Sequence, residues 1–350
     1  MSDELEKLAC PAPLGTRDTV LLGHGSGGRL SAELLRDVFL RAFTNPVLAQ
    51  LNDQAIVSVD GMRLAFTTDS FVVKPLFFPG GDIGSLAVHG TINDLAVGGA
   101  EPLFLSAAFI IEEGLPMETL RQVVESFRRA ASEAGVEVVT GDTKVVEKGK
   151  GDGLFINTSG IGRVRDGIHL SADQAQPGDR VLLSGSLGDH GIVILSQREG
   201  LEFDSPITSD SAPLHTLVKV MLDAVPGIRC LRDPTRGGLS STLNEIAAQS
   251  RVGMTLEEPT IPIKEAVRGA CELLGLDPLY VANEGKLVAI VPAEHAEVVL
   301  AAMRAHPLGK ESAIIGTVTA EHPGVVTMRT SLGTTRIVDM LSGDQLPRIC

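Results

Sequence analysis

Strand and helix patterns follow one another irregularly along this chain of 350 residues, without the strict βαβ succession of a doubly wound parallel sheet. Over 116–134, Leu120, Val123, Val124, Phe127 and Ala131 keep helical spacing, with Pro116 suited to the first turn and Gly135 to the exit. Further helices are predicted at 30–43, 82–97, 189–198, 212–224, 238–249, 262–274 and 293–304. Strands are predicted at 55–60, 63–69, 103–112, 136–140, 154–163, 180–184, 252–257, 286–291, 313–319 and 325–330. This mixed order predicts the α+β class. The length exceeds what one hydrophobic core supports, so two domains are expected. Their predicted bounds are 46–165 and 178–330, with a linker from Asp166 to Asp179. Residues 1–45 read as an arm carrying a Gly-rich loop and a helix, and 331–350 as a mobile tail.

Composition excludes several classes of function. A net charge of -14 has the wrong sign for nonspecific nucleic-acid binding, and an acidic chain binds polyphosphate only with a divalent cation between the two. Trp is absent and Tyr occurs once, which leaves no base-stacking platform. No apolar run is long enough to span a bilayer, and the acidic N-terminus lacks a signal-peptide core, so the expected location is cytoplasmic. The cysteines, at 10, 230, 271 and 350, form no CxxC pair, which argues against zinc and disulfide frameworks.

Acidic residues fall at positions that suit ligand binding. Asp53 precedes a predicted strand, and Asp69 and Asp142 stand at predicted strand ends. Asp94 lies on the helix 82–97, whose apolar residues cover more than one face, so Asp94 is expected to be buried with it. A buried carboxylate is costly unless paired or bound to metal. Two readings stay open on spacing alone: an aspartate cluster holding Mg²⁺ on ATP phosphates, or separate caps, turns and one hydrogen-bonded buried Asp.

There is no GxxxxGK[ST] and no GxGxxG between a strand and a helix. The run His24-Gly25-Ser26-Gly27-Gly28 precedes a helix; it can wrap an anion or simply turn and cap. Lys144 and Glu284 suit an acid–base pair, or two solvated side chains. Asp233 to Leu239 is a tight turn into a helix that suits a cap, an interface or a phosphate contact. The chain ends in Cys350, where Arg348 would favour the reactive thiolate and the terminal carboxylate would oppose it. Prenylation is excluded because it needs Cys four residues from the end.

Together these segments resemble the AIR synthase-related (PurM-like) ATP-binding superfamily. The likeness is carried by Thr68-Asp69, the run Gly90 to Pro102 with Asn93-Asp94, Gly141-Asp142-Thr143-Lys144, Ser184-Gly185, Gly188-Asp189-His190-Gly191 and Asp233 to Leu239. His24 to Gly28, Asn283-Glu284-Gly285-Lys286 and the Pro347-Arg348-Ile349-Cys350 ending narrow it to the HypE family of carbamoyl dehydratases. The resemblance implies a two-domain PurM-like fold, a homodimer pairing its N-terminal sheets into a barrel, a C-terminal α/β sandwich and a flexible tail. It implies ATP held through Mg²⁺ by Asp53, Asp69, Asp94 and Asp142, with Asn93, Gly141, Gly25 and Gly27 also at the nucleotide. Several relatives have paired acids where this chain has Asn52-Asp53. The implied reaction starts from a carbamoyl group placed on Cys350 by a carbamoyltransferase, HypF. ATP-dependent dehydration turns it into a thiocyanate, with Lys144 and Glu284 as candidates for amide deprotonation. The cyanide then passes to iron on a HypC–HypD scaffold. A selenophosphate synthase-like kinase, which would need Cys10 rather than Cys350, and a noncatalytic docking protein are the alternatives.

Overall fold

A computed structural model describes residues 19–201, 206–342 and 348–350. Cys10 lies outside them. The predicted helix 30–43 is broken into α1 (Arg29–Leu34), a π-helical turn (Leu35–Phe39) and α2 (Leu40–Ala42). Next come β1 (Ala55–Val59), β2 (Met62–Phe71), a short hairpin of β3 (Phe77–Phe78) and β4 (Gly81–Asp82), and α3 (Ile83–Val97). The half closes with β5 (Ala100–Glu112), α4 (Met117–Glu133), β6 (Glu137–Val146) and β7 (Leu154–Val164). The strands form one sheet in the order β1-β2-β7-β5-β6. Only β5 and β6 run parallel, because α4 carries the chain back between them.

The period of two along the strands decides what α3 covers. Ala65, Thr67 and Phe71 of β2, and Leu154, Ile156, Thr158 and Gly160 of β7, face the helix and are buried. The opposite face stays open, with Phe66, Phe104, Ile110 and Ile161 exposed. Asp82 caps α3 by accepting from the amides of Gly84 and Ser85. Apolar side chains almost all round the helix fit its position between the sheet, α4 and the second half of the chain. Gly84 permits the α4 crossing: a Cβ there would stand 2.4 Å from the Val123 carbonyl oxygen.

The second half contains β8 (Arg180–Leu183), α5 (Asp189–Glu199), α6 (His215–Ala224), β9 (Cys230–Arg232), α7 (Gly238–Ser250) and β10 (Gly253–Glu257). It continues with α8 (Glu265–Leu274), β11 (Val288–Val291), α9 (Ala296–Ala305), β12 (Ala313–Thr319), β13 (Val326–Arg329) and β14 (Thr335–Ile337). The sheet order is β14-β13-β10-β12-β8-β11-β9. Its two faces bury different helices. Val181, Leu183, Val288 and Ile290 pack with Leu239, Leu243 and Ile246 of α7. Leu182, Ala289 and Val291 pack with α6 and α9 through Leu217, Met221, Val299 and Met303. Burying such a side chain stabilises by about 1.5–3 kcal/mol, and this sandwich does so on both faces.

Three expectations are corrected. The segment 166–177 is no loose linker, because Ile168, Leu170, Ala172 and Ala175 are buried in the second half's two cores. The tail does not begin at 331: β14 pairs with β13, and Val338 is fully buried. The strand predicted at 136–140 runs on to Val146, so Asp142 sits within a strand rather than at its end.

Candidate active site

Where the two halves meet, a cleft of about 210 Å³ is lined by Asp53, Thr68, Asp69, Gly90 and Asp94 from the first half. Asp233, Thr235, Arg236 and Glu284 line it from the second, and Cys350 closes it. Asp53 is placed by the turn into β1; its Oδ1 pairs with Arg232 at 2.9 Å, while Oδ2 is buried without a partner. Arg232 also pairs with Glu245 at 2.9 Å. Asp69 comes from within β2 and accepts from the Ser70 amide at 2.7 Å. Asp94 is the one half-buried residue between Gly90 and Val97, because the cleft opens at its position on α3. The Thr67 hydroxyl lies 2.8 Å from Asp94 Oδ2 and 2.9 Å from the Asp53 carbonyl, tying β2, α3 and the approach to β1 together.

The opposite wall is built on glycines. Gly237 (φ 77°) and Gly238 (φ 62°) turn β9 into α7, and a Cβ on Gly238 would meet the Leu279 carbonyl at 2.6 Å. That turn presents Asp233, Thr235 and Arg236 to the cleft. Glu284 is fixed through its backbone: its amide and that of Gly285 donate to Asp210, which is ion-paired with Lys286 at 3.1 Å. Glu284 Oε1 is buried without a partner.

The electrostatics follow from crowding buried acids. Burial, reinforced by Asp233, Asp69 and Asp53, holds the Asp94 carboxyl well above the usual carboxylate range. Burial raises Asp53 and Asp69 too, against the opposing pull of Arg232 and Arg236 respectively. Asp233 is pushed up to about 8 by burial and by Asp53. Glu284 is raised well above its ordinary value by burial and by Asp69 and Asp233. A wall of this kind favours a cation. Yet among the described residues no three His, Cys, Asp or Glu side chains converge closely enough to hold an ion themselves. A hard divalent cation here therefore has to take further oxygens from its ligand, as Mg²⁺ does from phosphates. The unpartnered oxygen of Asp53 fits that role.

Cys350 is 9% exposed. Burial, with Glu284 and Asp69, pushes its thiol up to about 12 against the pull of Arg236. The cation near the sulfur is thus Arg236 and not Arg348, whose guanidinium pairs with Asp152 instead. The docked thiol is protonated and a poor nucleophile.

Six of the residues singled out in the sequence do not line the cleft. Asp142 and Lys144 lie on β6, three strands from β2, and face the open side of the sheet. They are exposed and paired with each other at 2.6 Å. The Asp142 carboxyl is held low by that lysine. Gly141 serves packing: a Cβ would stand 2.2 Å from the Ala107 carbonyl. Asn93 clamps the halves together, donating to the carbonyls of Ala212 and Glu284 and accepting from the Leu214 amide at 2.7 Å. Gly25 and Gly27 sit behind the cleft wall. The Gly25 carbonyl accepts from Arg236 at 3.3 Å, and a Cβ on Gly27 (φ 74°) would stand 2.4 Å from the Arg236 carbonyl. Arg232 and Glu245 went unmarked in the sequence; a charged residue closing the apolar run Cys230-Leu231 was their only signal.

A second chamber of about 830 Å³ adjoins the cleft, sharing Asp53 and Thr68 with it and lined elsewhere by Leu35, Val47, Phe66 and Gln249. Residues 51–164 and 176–329 match the N-terminal and C-terminal domains of AIR synthase related protein. The carbamoyl dehydratase HypE of Azotobacter vinelandii is 64% identical over 332 residues, covering 95% of this chain and 97% of that protein. The chain belongs to the HypE family of carbamoyl dehydratases. Among solved structures similar to it is a HypE–HypF complex, with TM-score 0.84 and 51% identity, covering 88% of this chain and 99% of that one. Another is HypE in complex with ATP, with TM-score 0.80 and 54% identity, covering 95% and 100%. This HypE-family chain is thus an enzyme of hydrogenase maturation with a two-domain α+β fold. No helix among its described residues is long and apolar enough to cross a membrane.

Proposed function

We propose that the chain uses ATP to dehydrate an S-carbamoyl group on Cys350 to a thiocyanate, and that the cleft between its halves is where this happens. The carrying observation is the meeting of the terminal thiol with Arg236, Glu284 and unpaired buried carboxylate oxygen in one cleft. The large chamber beside it has room for the nucleoside, which leaves the phosphates next to Asp53 and Thr68. Asp53, Asp69 and Asp94 are the residues that would hold Mg²⁺ at the phosphates, and the ion would there supply neutralisation of the charge on the moving phosphoryl group.

An amide oxygen leaves poorly, and phosphorylation converts it into a good leaving group. The carbamoyl oxygen attacks the γ-phosphorus, and the bond from that phosphorus to the ADP oxygen breaks. The nitrogen then loses its two protons as the carbon–oxygen bond breaks and the nitrile forms. The products are thiocyanate, ADP and phosphate, with one proton on the phosphate and one released. Arg236 stands beside the sulfur-borne group and stabilises developing negative charge. Glu284, with its free oxygen, takes the amide proton once cations have brought its carboxyl down. The raised thiol of the docked state fits loading elsewhere: Cys350 accepts its carbamoyl group from HypF while undocked, then returns. Cyanide delivery goes to iron on HypC–HypD.

Asp142 and Lys144 join this scheme through a homodimer. The open sheet face carries Phe66, Phe104, Ile110 and Ile161, and β6 leaves an edge with Val138, Val139 and Val145 exposed. Pairing these surfaces between two copies closes a barrel and encloses Asp142 and Lys144 near Thr68, which lines both cavities.

The test is mass measurement of the C-terminal peptide after incubation with the carbamoyl donor system and MgATP. A carbamoyl adduct should form on Cys350 and lose water only when ATP is present. Cys350→Ser should carry no thiocyanate; a dehydrated adduct that survives this substitution rules the carrier out.

A further inference from the structure

The last three residues are held by groups that the dehydration chemistry does not use. The Ile349 carbonyl lies 2.8 Å from His190 Nε2. A carbonyl only accepts, so Nε2 carries the proton and donates. The bare Nδ1 then accepts from the Ser209 hydroxyl at 2.8 Å. The ring is fully buried and stands edge-on to Phe78, with centroids 5.5 Å apart and planes at 87°. Burial keeps this imidazole neutral by lowering its pKa. One residue earlier, the Arg348 carbonyl accepts from Arg198 Nη2 at 2.7 Å, and the Arg348 guanidinium pairs with Asp152. Asp152 also holds Lys74 at 2.8 Å. An oxygen of the Cys350 terminal carboxylate accepts from the Val72 amide at 2.9 Å. The Ile349 side chain is 2% exposed within the first half's core. These contacts read backbone, the terminal carboxylate, the Ile349 side chain and one positive charge; none reads the sulfur.

We propose that His190 and Arg198 of α5, with Asp152 of the β6–β7 loop, form a receptor for the tripeptide Arg348-Ile349-Cys350, in which His190 is a positioning residue for the dehydration. It rests on Cys350 being the carrier. By fixing the Ile349 carbonyl, His190 sets the register that brings the group on sulfur to Arg236 and Glu284. The receptor grips the peptide in the same way whichever group the sulfur bears, so loading and dehydration leave docking intact. It acts as an orienting device and not as a chemical one.

Alkylation of the full chain by iodoacetamide, followed cysteine by cysteine, tests this. Cys230 and Cys271 are buried thiols and serve as internal controls for general loosening. His190→Leu should speed labelling of Cys350 about five- to tenfold, the worth of one buried hydrogen bond, while leaving Cys230 and Cys271 slow. It should slow single-turnover dehydration by a similar factor without slowing carbamoylation. His190→Gln keeps a donor at similar reach and should recover most of both effects. Asp152→Ala should speed labelling about threefold, as suits a part-exposed ion pair. If His190→Leu also uncovers Cys230, Asp152→Ala decides alone. Unchanged Cys350 labelling in Asp152→Ala and His190→Leu overturns the receptor. A Gln variant no better than Leu, with the control cysteines quiet, overturns the positioning role. Labelling that responds as expected in a chain that never gains a carbamoyl mass leaves the receptor standing and removes the carrier reading instead.

Discussion

Asp233 shows how single residues here trade stability for binding. Its carboxyl holds a proton up to about 8 in the folded chain, whereas an unfolded aspartate releases it near 4. Between those values the folded state binds more protons than the unfolded one. The stability contributed is therefore full below pH 4 and is lost as pH rises through about 8. Asp94 and Glu284 act in the same direction. The nucleotide-free chain should lose thermal stability between pH 5 and 8, by up to about 1.4 kcal/mol per pH unit for each such group. MgATP should flatten the slope, and Asp233→Asn should reduce it; melting curves across that pH range check both. Sequence showed these acids unevenly. Asp53 and Asp94 were visible because a carboxylate before a strand or on an apolar helix is conspicuous, while Asp69, expected at a strand end, lies within β2, which runs on to Phe71. The strand end expected at Asp142 is absent because its strand extends through an edge position where apolar and polar side chains alike stay exposed, so no periodicity marks the strand's end. Asn93 looked like a ligand residue because sequence cannot show that all its polar atoms are spent on the other half of the chain.

Among elements, α3 carries most of the design. It is the shared wall of the sheet, α4 and α6, and it delivers Asp94 and Asn93 at the junction. Its apolar run, with few polar breaks, made it legible from sequence. The short strands β9 and β14 were not legible, because three residues are too few for alternation to show and their pairing is set by distant partners. Tight helix contact at Gly84 predicts a specific sensitivity. Gly84→Ala should cost about 1–3 kcal/mol by overpacking against α4, despite alanine's better helix propensity. Urea unfolding of the variant measures it. A smaller loss would mean that α4 can shift away from the sheet.

At the scale of the whole molecule, length announced two cores and composition an acidic chain, while the open sheet face bears on the proposed pairing of two copies. Phe104 is exposed on that face. Phe104→Asp should leave the monomer folded and abolish the dimer, as read by sedimentation. It should lower dehydration at least tenfold if Asp142 and Lys144 work only across the pair, while carbamoylation of Cys350 persists. A dimer unaffected by that substitution places the interface elsewhere. The pinning of β14 and Val338 into the second sheet has its own geometric effect. From that fixed point the chain runs only from 339 to 350, a contour of about 40 Å when drawn straight. The sulfur is thus a tethered cargo with a bounded radius. On the proposed carrier reading, any partner that loads or unloads this sulfur must bring its own centre within that circle, and one deleted residue shrinks it by about 3.5 Å.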